Sequence, residues 1–180
     1  VFRFEVPAYS KPLLLTDAAI NIDPTIEAKV DIINNAIYTA QALGVSRPKV
    51  AILSAVETVS PSLKSTLDAA CLCKMADREQ IKGAILDGPL AFDNAISAKA
   101  AQVKADILMA PDLESANMLA KQLDYLAGAA GCGVVLGAAV PIALTSRSDT
   151  AISRVASAAF ACVIANRNMI SFDSDRKTEI

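Results

Sequence analysis

Residues 49–87, KVAILSAVETVSPSLKSTLDAACLCKMADREQIKGAILD, decide the fold. Lys49–Ala55 is a short, continuous apolar run, the pattern of a strand covered on both faces. Ser60-Pro61 then supplies a capping hydroxyl followed by proline, a helix start, and the helical pattern runs to about Ala76. Gly83–Asp87 is a second short apolar run. Strand, helix and strand in this order make a right-handed βαβ unit with parallel strands.

The same alternation extends in both directions. Leu13–Thr16, Asp106–Ala110, Gly133–Gly137 and Pro141–Thr145 are further strand candidates. Asp23-Pro24 predicts the start of a helix carrying Ile26, Val30, Ile33, Ile37 and Ala40 at helical spacing, with Gly44 as its stop. Asp112 opens a third helix through Leu119, Leu123 and Leu126 to Gly128, and Asp149 a fourth through Val155, Ala159 and Val163. The expected class is α/β, three layers of helix, sheet and helix with a mainly parallel sheet. The polar tail after Asn166 is expected to fray or to dock elsewhere.

Composition narrows the chemistry. The chain has 180 residues, 53% hydrophobic, with a mean hydropathy of +0.40, enough for a sizeable core. Seventeen basic against 19 acidic residues exclude a polycationic nucleic-acid or anionic-membrane footprint. Histidine is absent, which removes Ser-His-Asp triads, Cys-His dyads and His-based metal sites. Tryptophan is absent too, and aromatics at 4% argue against stacking platforms. Cys71, Cys73, Cys132 and Cys162 lack zinc spacing and sit in apolar runs, so buried, reduced core thiols in a reducing cytoplasm are expected. No apolar run reaches the ~18 residues of a membrane span. The opening VFRFEVPAYSKP has no signal-peptide anatomy and no initial Met, and the expectation is a piece of a longer protein.

Open α/β sheets bind ligands where strands hand over to helices. Three such junctions carry chemistry. In Thr145–Asp149 a strand end is followed by hydroxyls, the Arg147 guanidinium and a carboxylate at a helix start, a set suited to a phosphoryl anion. The same residues also fit a plain helix start, with Asp149 as cap, Ser146 in the turn and Arg147 as a solvated charge. Asp112, Asn117 and Lys121 occupy the start and one face of a helix, where Asn and Lys could hold a carbonyl or phosphate or simply face water. Asp87-Gly88-Pro89 reads as a tight turn or a ligand contact. Gly131-x-Gly133-x-x-x-Gly137 lacks phosphate-loop spacing and indicates close backbone packing.

The segments LTDAAINIDPTIEAK, KVAILSAVET, LDGPLAFDNAIS, DILMAPDLESANMLAKQL and YLAGAAGCGVVLGAAVPIALTSRSD together resemble the phosphate acetyltransferase/phosphate butyryltransferase family over most of residues 10–165. The nearest likeness is to the phosphotransacetylase half of proteins fused to an enoyl-CoA hydratase. The resemblance implies reversible transfer of an acetyl or short acyl group: acyl-CoA plus phosphate gives acyl phosphate plus CoA, directly in a ternary complex. CoA thioester and phosphate are then substrates, and neither cofactor nor metal is needed. It implies a homodimer and a two-domain architecture like that of isocitrate/isopropylmalate dehydrogenases, of which this chain is the C-terminal part. Residues 1–10 would be a connection, 11–136 an inserted α/β domain, and 137–180 the return into the first domain. It implies catalytic roles for Ser146, Arg147 and Asp149, and substrate binding by Asp87, Asn117 and Lys121. Some members carry the proposed base two residues beyond Asp149, where this chain has Ala151. Ala116 replaces a common Gly, and further loop residues are missing between Val103 and Lys104. The competing readings are an inactive ligand-binding or assembly module and a related decarboxylating dehydrogenase. The dehydrogenase would need a metal-binding Asp cluster that the chain lacks.

Overall fold

The computed structural model describes residues 1–97 and 104–176, with 168–176 described by their backbone alone. The elements in order are β1 (Phe2–Glu5), β2 (Leu13–Thr16), α1 (Ile26–Ala42), β3 (Lys49–Leu53), α2 (Lys64–Asp77), β4 (Ile85–Leu90), α3 (Phe92–Ile96), β5 (Ile107–Met109), α4 (Leu113–Tyr125), β6 (Ala130–Val135), β7 (Ile142–Leu144) and α5 (Ala151–Arg176). The strands form a seven-stranded sheet in the order β4-β3-β5-β2-β1-β6-β7. One core layer joins the sheet to α1, α2 and α5 through Ile33, Leu72 and Ile164; the other joins it to α3 and α4 through Ala95, Ala116 and Leu123. The fold is therefore a mixed α/β sheet between two helical layers.

The sheet is only half parallel. β3–β4, β3–β5 and β2–β5 are parallel, as the βαβ pattern requires, but β1–β2, β1–β6 and β6–β7 are antiparallel. The expectation of a mainly parallel sheet fails because residues 1–10 are not merely a connection. Phe2-Arg3-Phe4-Glu5 alternates apolar and polar groups and inserts between β2 and β6. β7 then folds back on β6 as an edge strand, and its Ile142 is 50% exposed, unlike a strand covered on both faces.

Helix starts also shift. α1 is capped by the Thr25 hydroxyl, which accepts from Ala28 N at 3.3 Å, while Asp23 turns to Lys64 at 2.7 Å. Gly44, at φ +92°, ends the helix as expected, in a region that favours glycine. α2 begins at Lys64, because Ser60 and Thr66 bond each other and hold residues 60–63 as a turn. Asp112 caps α4, accepting from Ser115 N at 2.8 Å. At α5 the cap is Thr150, whose hydroxyl accepts from Ser153 N at 3.1 Å, and Asp149 precedes it. The tail after Asn166 continues α5 to Arg176 instead of fraying there. The expected break between Val103 and Lys104 adjoins residues 98–103, which lie outside the described residues.

α1 and α2 are joined by an ion pair sealed from water: Lys29 Nζ lies 2.6 Å from Asp68 Oδ2, with the two side chains 4% and 10% exposed. Such a pair is costly to break one-sidedly, because the remaining charge is left buried.

The cysteines are free, but only Cys132 is buried; Cys71 and Cys162 are exposed and Cys73 is half-buried. The expectation of four core thiols fails because Cys71 and Cys162 fall on the outward faces of α2 and α5. Burial, then the charges of Asp87 and Asp77, push the Cys73 thiol up to about 11. Burial also raises Cys132, so neither is poised as a thiolate. No helix among the described residues is long and apolar enough to cross a membrane.

Candidate functional site

Three elements converge over the antiparallel half of the sheet. The first is α4, whose Asn117, Lys121 and Asp124 share one face. Asn117 Nδ2 donates to Ala18 O at 3.2 Å, tying α4 to the turn after β2. The Asp17 carboxylate holds that turn, accepting from the backbone N–H groups of Ala19 (3.0 Å), Ile20 (3.2 Å) and Asn21 (2.9 Å) and from Asn21 Nδ2 (2.6 Å). Burial works against the Asp17 charge, but these four hydrogen bonds outweigh it and hold its carboxyl below the ordinary value.

The second element is the loop between β7 and α5. Asp149 Oδ2 accepts from Ser146 N at 2.6 Å, and Asp149 N donates to Ser146 O at 3.2 Å, which closes the loop on itself. Ser146 Oγ lies 3.2 Å from Ser148 Oγ. Thr150 caps α5, so the positive end of that helix opens beside these hydroxyls. Ser153 and Ser157 follow on one helix face, and Ser157 Oγ accepts from Gly133 N at 3.1 Å.

The third element is a floor. Phe2 and Phe4 lie on one face of β1, their ring centroids 6.1 Å apart, directly over Gly133 and Gly131 of β6. A Cβ on Gly131 would come within 2.8 Å of the Phe4 ring, and one on Gly133 within 3.0 Å of Phe2. The glycine pair therefore serves close packing, in this case ring against backbone.

These elements enclose a cavity of about 350 Å³. Asn117, Lys121, Ser146 and Asp149 all line it. Arg147 does not: it is exposed on the same loop, and among the described residues it makes no salt bridge. Asp87 is not brought to this place. It lies within β4, paired with Ala51, at the opposite edge of the sheet from β7, so Asp87-Gly88-Pro89 is strand and not a tight turn. Lys121 Nζ sits 5.6 Å from the Tyr125 ring centroid and makes no salt bridge among the described residues, so its charge remains available to a ligand.

Sequence reasoning missed the Phe2–Phe4 floor, the Asp17 clamp, Asp124 and the pair Ser153/Ser157. The alternation in residues 2–5 and the i,i+4 spacing of the serines were signals that could have found them. Among the described residues no cluster of three or more His, Cys, Asp or Glu could hold a metal ion. A second hollow of about 450 Å³ lies at the carboxyl ends of β3 and β5, between Leu53, Phe92, Pro111 and Leu119. No charged side chain lines it, whereas the first cavity offers a cation, hydroxyls and a helix start that can hold an anion, together with the carboxylates of Asp124 and Asp149 that can exchange a proton.

Residues 1–162 match the family model described as phosphate acetyl/butaryl transferase. The chain belongs to this family. It is 54% identical over 176 residues to a phosphate acetyltransferase of Rhizobium meliloti, covering 93% of this chain and 56% of that protein. It is 45% identical over 174 residues to a phosphate butyryltransferase of Clostridium beijerinckii, covering 92% of this chain and 58% of that one. The crystal structure of a branched-chain phosphotransacylase from Enterococcus faecalis V583 superposes with a TM-score of 0.83 at 36% identity, over 91% of this chain and 63% of that chain. The chain thus spans little more than half the length of the curated relatives it matches.

Proposed function

We propose that this chain carries the acyl-transfer site of a phosphate acyltransferase: acyl-CoA plus phosphate gives acyl phosphate plus CoA, reversibly. The observation that carries this reading is the convergence of Ser146, Asp149, Asn117 and Lys121 on one cavity in a chain of this family. A phosphate oxygen attacks the thioester carbonyl carbon, a tetrahedral oxyanion forms, and the C–S bond breaks to release CoA. The 180 residues carry no histidine to activate a side-chain nucleophile, and their contribution to catalysis is positioning and electrostatic stabilisation.

In this reading Lys121 and the open N-terminus of α5 stabilise the oxyanion. The Ser146 hydroxyl hydrogen-bonds the tetrahedral centre or the departing thiolate. Asp149 on the cavity wall exchanges the thiol proton, and Asp124 is a second carboxylate on the same wall. Arg147, free at the loop surface, captures phosphate or acyl phosphate bidentately. The cavity lies near the lower end of the roughly 300–1,000 Å³ usual for small-molecule sites, so it takes the reacting end of CoA and not the whole molecule.

The wider reading is a two-domain, isocitrate/isopropylmalate dehydrogenase-like enzyme of which this chain is the C-terminal part. It is a cytoplasmic homodimer that needs no cofactor, with an enoyl-CoA hydratase unit as the candidate fusion upstream. The length of the relatives supports such a larger whole.

The test is phosphate-dependent thiol release from acetyl-CoA and butyryl-CoA by the full-length protein and by residues 1–180. Release by the full-length protein is expected, and its absence overturns the assignment. Arg147→Ala is expected to remove most of the activity and raise the phosphate KM; normal kinetics would show that Arg147 has been given the wrong role.

A further inference from the structure

The cavity has two chemically different parts, and the reaction above uses only one. Its rim is polar, formed by Ser146, Thr150, Asn117 and Lys121 with the carboxylates of Asp124 and Asp149. Its floor is apolar, formed by Phe2, Phe4 and Leu144. Phosphate and the phosphates of CoA cannot profitably sit on phenyl rings, since their hydration would be lost without a partner. Beyond the reacting carbonyl, on the side away from the sulfur, the thioester carries only the acyl tail, which has no polar atoms. A thioester held with its carbonyl at the rim would place that tail toward the floor.

How deep the floor lies depends on an absence of atoms. Phe4 is core, only 3% exposed, whereas Phe2 is half-buried. Gly133 lets the Phe2 ring rest against the backbone of β6, because a Cβ there would meet the ring at 3.0 and 3.1 Å and Leu144 Cβ at 3.3 Å. Adding that atom would lift the ring into the cavity; trimming the ring would deepen it. We propose that Phe2, seated on Gly133 beside Leu144, sets the length of acyl chain the site accepts. This inference rests on the acyltransferase reading and adds a specificity-determining residue to it.

The experiment measures kcat/KM of the full-length protein for acetyl-CoA, butyryl-CoA and a branched short acyl-CoA, with phosphate as co-substrate. Phe2→Leu is expected to raise the butyryl-to-acetyl ratio about tenfold, the scale on which one methylene is discriminated in an apolar pocket. Gly133→Ala is expected to move the ratio about as far the other way. The phosphate KM should stay unchanged in both. Should Gly133→Ala fail to fold, Leu144→Ala, which opens the same wall, is expected to act in the direction of Phe2→Leu. A purely structural role would lower all three rates together and leave the ratio fixed, which overturns the gauge while the acyltransferase reading stands. No phosphate-dependent release by the unmodified protein with any of the three thioesters overturns both.

Discussion

The two halves of the sheet are built to different specifications. In β2, β3 and β5 nearly every side chain is buried, helices cover both faces, and the ladders are parallel. In β1, β6 and β7 the ladders are antiparallel, β6 carries glycines where β3 carries valine and isoleucine, and β7 is largely exposed. Four of the six expected site residues line the cavity over this second half. The difference is a division of labour: the parallel half supplies packed core at β2, β3 and β5, and the antiparallel half trades packed surface for an open, polar-rimmed cavity.

That division can be broken from either side. The largest effect is expected in the parallel half, where Lys29→Ala strands Asp68 without its partner between α1 and α2. Chemical denaturation should show a loss of about 3–5 kcal/mol, with the remaining folded protein keeping its KM values. A loss under about 1 kcal/mol would mean that this pair is solvated and that the α1–α2 seam is not sealed from water.

The antiparallel half predicts the opposite signature. Lys121→Ala should cost roughly a hundredfold in kcat with little change in melting temperature, because Lys121 is exposed and makes no salt bridge among the described residues. Equal losses of stability and rate would erase the contrast between the halves.

The smallest effect lies at the seam. Asp17 holds the turn that receives Asn117, and its folded carboxyl titrates below its ordinary value of 3.8. A lowered carboxylate stabilises the fold above that ordinary value, and the contribution is lost as pH falls through the folded value. Asp17→Asn should therefore cost about 1 kcal/mol at neutral pH, given its partial exposure, and the gap to wild type should close below about pH 3.8. Denaturation curves across pH 2–7 check this; a gap that widens in acid would reverse the sign assigned to Asp17.

The parallel half was the legible half. Continuous apolar runs separated by helical periods gave β2, β3 and β5 within a few residues, because burial on both faces leaves a simple pattern. β1 was not legible, since four residues of alternation are too short to outweigh the look of a connection. Helix starts misled wherever two capping residues stood close together: Thr25 prevailed over Asp23, and Thr150 over Asp149, because only the nearer hydroxyl reaches the third backbone N–H. Spacing put Asn117 and Lys121 on one face, but that this face meets Ser146 depends on β1 and β6 lying between α4 and the loop, a long-range fact. Asp87 shows the converse. A strand-end motif placed it beside the others, and the strand order puts it at the far edge.

The most direct test of the division is Ser146→Ala, a change of one exposed oxygen atom at the cavity rim. With the full-length protein, phosphate-dependent thiol release from acetyl-CoA is expected to fall by about a hundredfold at an unchanged melting temperature. Release within about twofold of wild type, far less than the loss of one stabilising donor brings, would place the chemistry elsewhere and contradict the account.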